Sequence, residues 1–459
     1  MSMHPRVVIA GTGSGSGKTT VTMGLLAAIG ATGDAALPFK AGADMIDPGY
    51  HTAAAGRPCR NLDTMLLSRD RLLELFSRSA PGGGLSVIEG VMGLFDGAGA
   101  REERGSTAHL AKLLASPVIL TVNGKAMGRS AAALVAGFAR FDPETEIRGV
   151  IFNNLGSERH YLLLKEAVEG DTGIPALGWL PRKDDVALPE RRLGLVPAGL
   201  RPGTEALPGR LKALVEEHID VKRVISIARS APPLPAFEPS IFVAPPAGRA
   251  VIAAARDGAF CFPGQDNLDI LGHLGAEIKF FSPLEDSDLP AGAAGVFFDG
   301  DFPEEFAPRL AENLPMKKAL RKAAEAGMPI LAGAGGLKLL AERFTDKNGA
   351  THAMAGVLPG SSGPSDRLTL GYCAGRLAKT VLAGEEGDTL SGRLFHYSTY
   401  DPGGIDDVFS LALERNGALL RDGPARGNVF ASFLSLHFGT DLSPAARLIR
   451  AAERYGQKK

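Results

Sequence analysis

The stretch VVIAGTGSGSGKTTVTMGLL, from Val7 to Leu26, constrains this chain more than any other. An apolar β-branched run, a glycine- and serine-rich turn and a second apolar pattern read as strand, phosphate-binding loop and helix. Gly11, Gly13, Gly15 and Gly17 carry no Cβ, so successive backbone N–H groups can close around phosphate oxygens while the helix turns its positive end toward them. Lys18 is then placed for the outer phosphates and Thr19 for a magnesium ion. The spacing departs by one residue from G-x-x-x-x-G-K-[ST], because the first glycine is Gly11 and Thr12 stands where the pattern has glycine. Such a loop commits the chain to a parallel α/β sheet with its ligand at the carboxyl ends of the strands.

Downstream, residues 36–65 are too polar and too broken by Gly and Pro to read as core; Lys40, Asp44, Asp47, Tyr50, His51 and Asp63 crowd into them. A second set of acids beside a phosphate loop suits metal and substrate contacts, and a solvated surface loop with turn-forming aspartates accounts for the same composition. LSVIEGVMGLFDG, from Leu85, reads as a buried strand ending in Glu89, the natural partner of Thr19 around magnesium; Asp96 follows, where it can face a substrate. PVILTVNG and IRGVIFNNLGSERH repeat the strand-to-loop pattern, the latter with Asn153 and Asn154 at a strand end, and helical stretches alternate with these strands throughout. Between Ser230 and Gly248, repeated prolines deny both helix and central strand. The expected organisation is a first α/β domain over 1–230, a linker over 231–248 and a second α/β domain over 249–459.

Composition narrows the functional classes. A formal net charge of -1 over 459 residues supplies no field to recruit nucleic acid or an anionic membrane, and no apolar run approaches a membrane span. Cys59, Cys261 and Cys373 are odd in number and far apart, without a C-x-x-C pair, which supports neither a disulfide framework nor a zinc site. Reduced thiols and the direct passage from MSMHPR into the first strand, with no signal-peptide pattern, give a cytoplasmic protein as the expectation.

GTGSGSGKTT, FKAGADMIDPGYH, NLDTM, VIEGVMGLFDG, NNLGSERH and LPERRLGLVP together resemble the cobyrinic acid a,c-diamide synthases. That family joins a dethiobiotin-synthetase-like ATP domain to a class I glutamine amidotransferase domain. The resemblance implies phosphorylation of tetrapyrrole side-chain carboxylates by ATP and displacement of the phosphate by ammonia. It further implies that Gly11, Thr12, Gly13, Gly15, Gly17, Lys18, Thr19 and Thr20 hold ATP, that Lys40 also binds phosphate and that Asn153 approaches the adenine. Thr19, Asp44 and Glu89 would hold Mg2+; Asp47, Tyr50, His51 and Asp96 would serve the substrate, with Lys18, Lys40, Asp47 and Asp96 catalytic. The family usually reads GPDYIDP, and here Ala43 and Met45 replace a proline and a tyrosine.

Departures cluster in the second domain. Where the family has a cysteine nucleophile in a segment like YAECGGL, this chain reads LAGAGGL, with Ala334 at the nucleophile position. The oxyanion turn, PGGYPE-like in the family, is DGDFPE here, with Asp301 in place of a glycine, and the activating histidine corresponds to Ser435. His437 stands two positions beyond it, and GHEFH has become GRLFH, which leaves His396 without its two neighbours. The leading expectation is therefore an ATP- and Mg2+-dependent ligase that amidates tetrapyrrole carboxylates with ammonia from solution or from a glutaminase partner, as a monomer or a homodimer. Two readings stay beside it: a siroheme or sirohydrochlorin amide synthase, and a non-catalytic tetrapyrrole carrier or P-loop partner ATPase.

Overall fold

In a computed structural model, residues 4–80, 83–183, 190–191, 194–195, 205–261, 264–300, 302–405, 409–415 and 418–458 are described. The chain divides into two compact units, Met1–Glu238 and Pro239–Lys459, and residues 231–249 hold no helix or strand.

In the first unit the elements run β1 (Arg6–Gly11), α1 (Lys18–Ala31), β2 (Ala35–Ala41), α2 (Asp47–Ala55), β3 (Arg60–Leu62), α3 (Arg69–Ser79), β4 (Gly84–Glu89), α4 (Thr107–Leu113), β5 (Val118–Asn123), α5 (Ser130–Phe141), β6 (Ile147–Leu155), α6 (Glu158–Thr172) and β7 (Ala176–Pro181). The short β8 (Glu190–Arg191) and β9 (Gly194–Leu195) pair with each other, and α7 (Leu207–His218) and α8 (Val221–Arg229) close the unit. Seven strands form one parallel sheet in the order β3-β2-β4-β1-β5-β6-β7. β1 is buried along its whole length, as a near-continuous apolar run in a helix-covered parallel sheet must be. α1 lies close under α7: a Cβ at Gly24 would come within 2.4 Å of Val215 and 3.0 Å of the Leu211 carbonyl, so only glycine permits that approach.

Residues 36–65, which read from sequence as too polar and too broken by Gly and Pro for core, belong largely to the interior. They supply β2, sheet partner of β4, together with α2 and β3, and Lys40, Tyr50 and His51 are buried. The sequence pattern misleads because these polar side chains pair with one another, and a buried charge is tolerated when an opposite charge and hydrogen bonds meet it.

The second unit runs β10 (Ala250–Ala255), α9 (Gln265–His273), β11 (Ala276–Phe281), β12 (Gly295–Phe298), α10 (Ala307–Glu312), α11 (Leu314–Glu325), β13 (Ile330–Ala332), α12 (Ala334–Leu340), β14 (Arg343–Thr345), β15 (Thr351–Ala353), β16 (Ser361–Leu377), β17 (Thr389–Asp401), β18 (Phe409–Arg415), β19 (Ala418–Arg426), β20 (Val429–Ala431), β21 (Ser435–Leu436) and α13 (Ser443–Gly456). Its sheet is mixed. β11, β10, β12, β13 and β20 are parallel neighbours, and β19, β18, β16 and β17 continue it antiparallel. No helix among the described residues is long and apolar enough to cross a membrane.

Arg6, at the start of β1, is fully buried, and burial lowers its guanidinium to about 10. It spends its donors on carbonyls: Nε on Leu114 (2.7 Å), Nη1 on His4 (2.8 Å), and Nη2 on Ala115 (3.0 Å) and Pro232 (2.7 Å). It thereby ties the end of the unit to its first strand. Arg6→Met should destabilise the first unit by roughly 2–4 kcal/mol, because several buried carbonyls lose their donor. Trp179, the chain's one tryptophan, lies buried in β7 and reports the transition by fluorescence in a denaturant titration.

Candidate active site

The phosphate loop leaves β1 at Gly11 and enters α1 at Lys18. Gly17 caps the helix at φ +95, and a Cβ there would sit 1.8 Å from Asn153 Nδ2, so glycine is required on both counts. Asn153 Nδ2 donates to the Ser16 carbonyl at 3.2 Å, which braces the loop from the end of β6. Thr12 N donates to the Thr121 carbonyl at 3.3 Å, and Thr20 lies in the first turn of α1. Lys18 Nζ donates to the carbonyls of Gly13 (3.1 Å) and Met92, arching back over the loop. Burial lowers its ammonium below the ordinary lysine value, against the opposing pull of Glu89.

Beside the loop lies a buried charge cluster. The parallel register of β2 and β4 places Lys40 opposite Glu89, and Lys40 Nζ reaches Glu89 Oε1 at 3.1 Å, Asp47 Oδ2 at 2.7 Å and the Gly90 carbonyl at 3.1 Å. Thr19 Oγ1 donates to Glu89 Oε1 at 2.7 Å, and His51 Nε2 pairs with Glu89 Oε2. Burial opposes the charge of both Lys40 and Glu89, yet each is held ionised by the other: Glu89 and Asp47 keep Lys40 above its ordinary value, and Lys40 with His51 brings Glu89 down to about 2. Asp47 goes the other way. Burial raises it to about 7 despite Lys40, with Glu89 and Asp44 adding to the rise.

Asp44 Oδ1 accepts the amides of Ile46 (2.7 Å) and Asp47 (3.1 Å), forming the turn that enters α2. Tyr50 is buried on α2, and Asp96 lies exposed, its Oδ2 accepting the Gly93 amide at 2.7 Å. Among the described residues no group of three or more His, Cys, Asp or Glu is placed to hold a metal by itself. Thr19 and Glu89 nonetheless converge with hard oxygens beside the phosphate loop, and magnesium commonly takes one or two protein oxygens and completes its shell with phosphate and water.

Two positioning residues escaped sequence reasoning. Asn61 Nδ2 donates to the carbonyls of Gly42 (2.8 Å) and Asp44 (2.7 Å) and so holds the Asp44 turn. Thr107 Oγ1 accepts from the Val91 amide (2.9 Å) and donates to its carbonyl (3.0 Å), fixing the loop that leaves Glu89. Only NLDTM carried a signal for the first, and nothing in the chain's order pairs Thr107 with Val91.

In the second unit β13, Gly333 and α12 form a strand–turn–helix elbow with Ala334 at the first helical position, buried. Behind it, Asn267 Nδ2 donates to Asp299 Oδ2 and to the Leu436 carbonyl, both at 2.9 Å, and the Gly264 amide reaches Asp299 at 3.2 Å. The adjoining cavity, lined by Asp299, Gly333, Leu434, Leu436 and Phe438 among others, measures about 20 Å3. His437 Nε2 lies 3.8 Å from Asp266, Ser435 stands in β21 opposite Arg393, and His396 stacks on Phe433. Asp301 and most of LPERRLGLVP lie outside the described residues.

A nucleotide-binding parallel α/β unit followed by an amidotransferase-like unit defines a class, the ATP-dependent amide ligases. Residues 7–196 match the CobQ/CobB/MinD/ParA nucleotide binding domain and residues 251–442 the CobB/CobQ-like glutamine amidotransferase domain. The chain is similar to the cobyrinate a,c-diamide synthases of Dehalococcoides mccartyi (41% identical, 98% of this chain and 99% of that one), Listeria innocua (41%, 98% and 100%) and Methanosarcina barkeri (38%, 98% and 96%). It belongs to the cobyrinate a,c-diamide synthase family and is an ATP-dependent carbon–nitrogen ligase.

The cluster makes stability depend on pH. Asp47 binds its proton more tightly folded (about 7) than in an ordinary setting (3.8), so its ionisation costs stability as pH rises through that interval and the cost is absent below it. Without nucleotide or metal, the wild type should gain stability relative to Asp47→Asn as pH falls from 8 to about 5. Denaturant titrations at several pH values measure this, and parallel profiles would contradict it.

Proposed function

We propose that this protein amidates side-chain carboxylates of cobyrinate or a closely related tetrapyrrole through an acyl phosphate, using free or partner-supplied ammonia. The reading rests on the Lys40–Glu89–Asp47 cluster beside Lys18 and Thr19. A substrate carboxylate oxygen attacks the terminal phosphorus of ATP; ADP leaves, and the acyl phosphate that remains is an acyl donor, which the free carboxylate is not. The ammonia nitrogen then attacks the acyl carbon, inorganic phosphate departs with the carbon–oxygen bond pair, and a proton is lost from nitrogen to give the amide.

This chain's part in that chemistry is charge placement. Lys18 shifts its Nζ from the Gly13 and Met92 carbonyls to the transferring phosphate, and the loop amides from Gly13 to Lys18 hold the phosphate chain in line. Lys40, kept cationic by its two carboxylates, adds positive potential on the acceptor side. Thr19 and Glu89, with Asp44 nearby, would hold Mg2+, which supplies charge neutralisation on the phosphates. Asp47 and the exposed Asp96 face the substrate side, and Asn153 steadies the loop near the base of the nucleotide. Lys18→Ala should lower amidation at least a hundredfold with the Trp179 unfolding transition unchanged; full activity in that variant would remove the reading.

The nitrogen source follows from the second unit. A glutaminase needs a thiolate to attack the amide, and Ala334 has none to offer at the elbow. Ammonium should support amidation of cobyrinate, with sirohydrochlorin as the comparison substrate, and glutamine should support none. Ala334→Cys alone should not restore glutamine use, because Ser435 is a poor base and Asp301 would bring a carboxylate to the oxyanion turn. Mass spectrometry of the products and a glutamate-release assay decide. Release sensitive to thiol alkylation would assign the chemistry to Cys261 or Cys373 and overturn this reading of the nitrogen source.

A further inference from the structure

We propose that His51 is a positioning residue: it fixes which oxygen of Glu89 faces Thr19, and through that carboxylate it sets the affinity of the site for a divalent cation. The inference rests on the reading of Thr19 and Glu89 given above. His51 is fully buried, so no substrate reaches it in this conformation, and its Nε2–H donates to Glu89 Oε2. The other oxygen, Oε1, receives Thr19 Oγ1 at 2.7 Å and Lys40 Nζ at 3.1 Å. The two oxygens are thus divided between opposite sides, and His51 is the donor described for Oε2.

A glutamate has three side-chain torsions, and a buried carboxylate with one oxygen unmatched would turn to share the donors on its other side. An imidazole is rigid and prevents that turn. Its second nitrogen, Nδ1, is buried without a hydrogen-bond partner, so the ring is held by packing and by the single bond to Glu89. His51 lies four residues after Asp47, and on a helix that spacing puts both on one face. α2 accordingly grips the cluster at two points, Asp47 on Lys40 and His51 on Glu89. The seating of one helix governs a substrate-side carboxylate and a cation-side carboxylate together.

The test needs a readout other than turnover. Binding of Mn2+ in the presence of a non-hydrolysable ATP analogue, followed by electron paramagnetic resonance, should weaken about 10- to 100-fold in His51→Leu, the range for losing the partner that orients a metal ligand. His51→Gln, which keeps an N–H donor, should recover most of the loss, and binding of the analogue without metal should be unchanged. In steady state the half-saturating Mg2+ concentration should rise while KM for cobyrinate stays constant. A raised KM for cobyrinate with unaltered Mn2+ affinity would make His51 a substrate contact and overturn the proposal. Unaltered Mn2+ affinity with only a lowered unfolding temperature would reduce it to packing and overturn it equally. Should His51→Leu not fold, His51→Asn, too short to reach Glu89, replaces it with the same expected loss. Failure of the wild type to bind Mn2+ with the analogue would instead bring down the cation assignment to Thr19 and Glu89, a result distinct from equal binding by wild type and variant.

Discussion

The ion pair between Lys40 and Glu89 is the constraint on which the nucleotide-binding unit turns. Two charges taken from water and buried at the carboxyl ends of adjacent parallel strands cost several kcal/mol apiece before any attraction is counted. They are tolerated because adjacent strands bring them into register and because Thr19, His51, Asp47 and the Gly90 carbonyl meet the remaining donors and acceptors. The helix that follows the phosphate loop, the strands bearing Lys40 and Glu89 and the helix bearing Asp47 and His51 all contribute to one buried polar knot. Removing any one partner would leave another unmatched in low dielectric, so the cluster ties local order in four elements together.

The same knot keeps Lys40 and Glu89 charged although both are buried. Lys40 has no spare donor direction toward solvent, since three protein acceptors take its ammonium. Lys18, by contrast, rests on only two carbonyls, those of Gly13 and Met92. A preorganised field costs no reorganisation when charge moves, which is the property phosphoryl transfer rewards.

The amidotransferase-like unit has an elbow whose first helical residue is Ala334. The elbow is retained, with β13, Gly333 and α12 in order, because these elements belong to the core of the mixed sheet: Ile330, Leu331, Ala332 and Leu337 are buried there. Ala334 is buried within that packing. Beside the elbow Asp299 accepts from Asn267 and from the Gly264 amide, and Asn267 in turn donates to the Leu436 carbonyl and accepts the Phe438 amide.

The phosphate loop was legible in the sequence, because it rests on chemistry local to a few consecutive residues, the glycines before Gly-Lys-Thr. Glu89 could be paired with Thr19 from its strand-end position alone. What the sequence could not reveal was the interior placement of residues 36–65, since Lys40, Asp47 and His51 fit a ligand-contacting loop and a hydrated one alike until β2 pairs with β4 and α2 brings Asp47 and His51 to the pair. Nor could it assign Asn61 and Thr107, whose partners lie 17 and 16 residues away in the chain. Polarity is a property of a residue and is printed in the sequence; whether a polar residue is solvated or matched inside the protein depends on which strands become neighbours, and only the tertiary structure decides that.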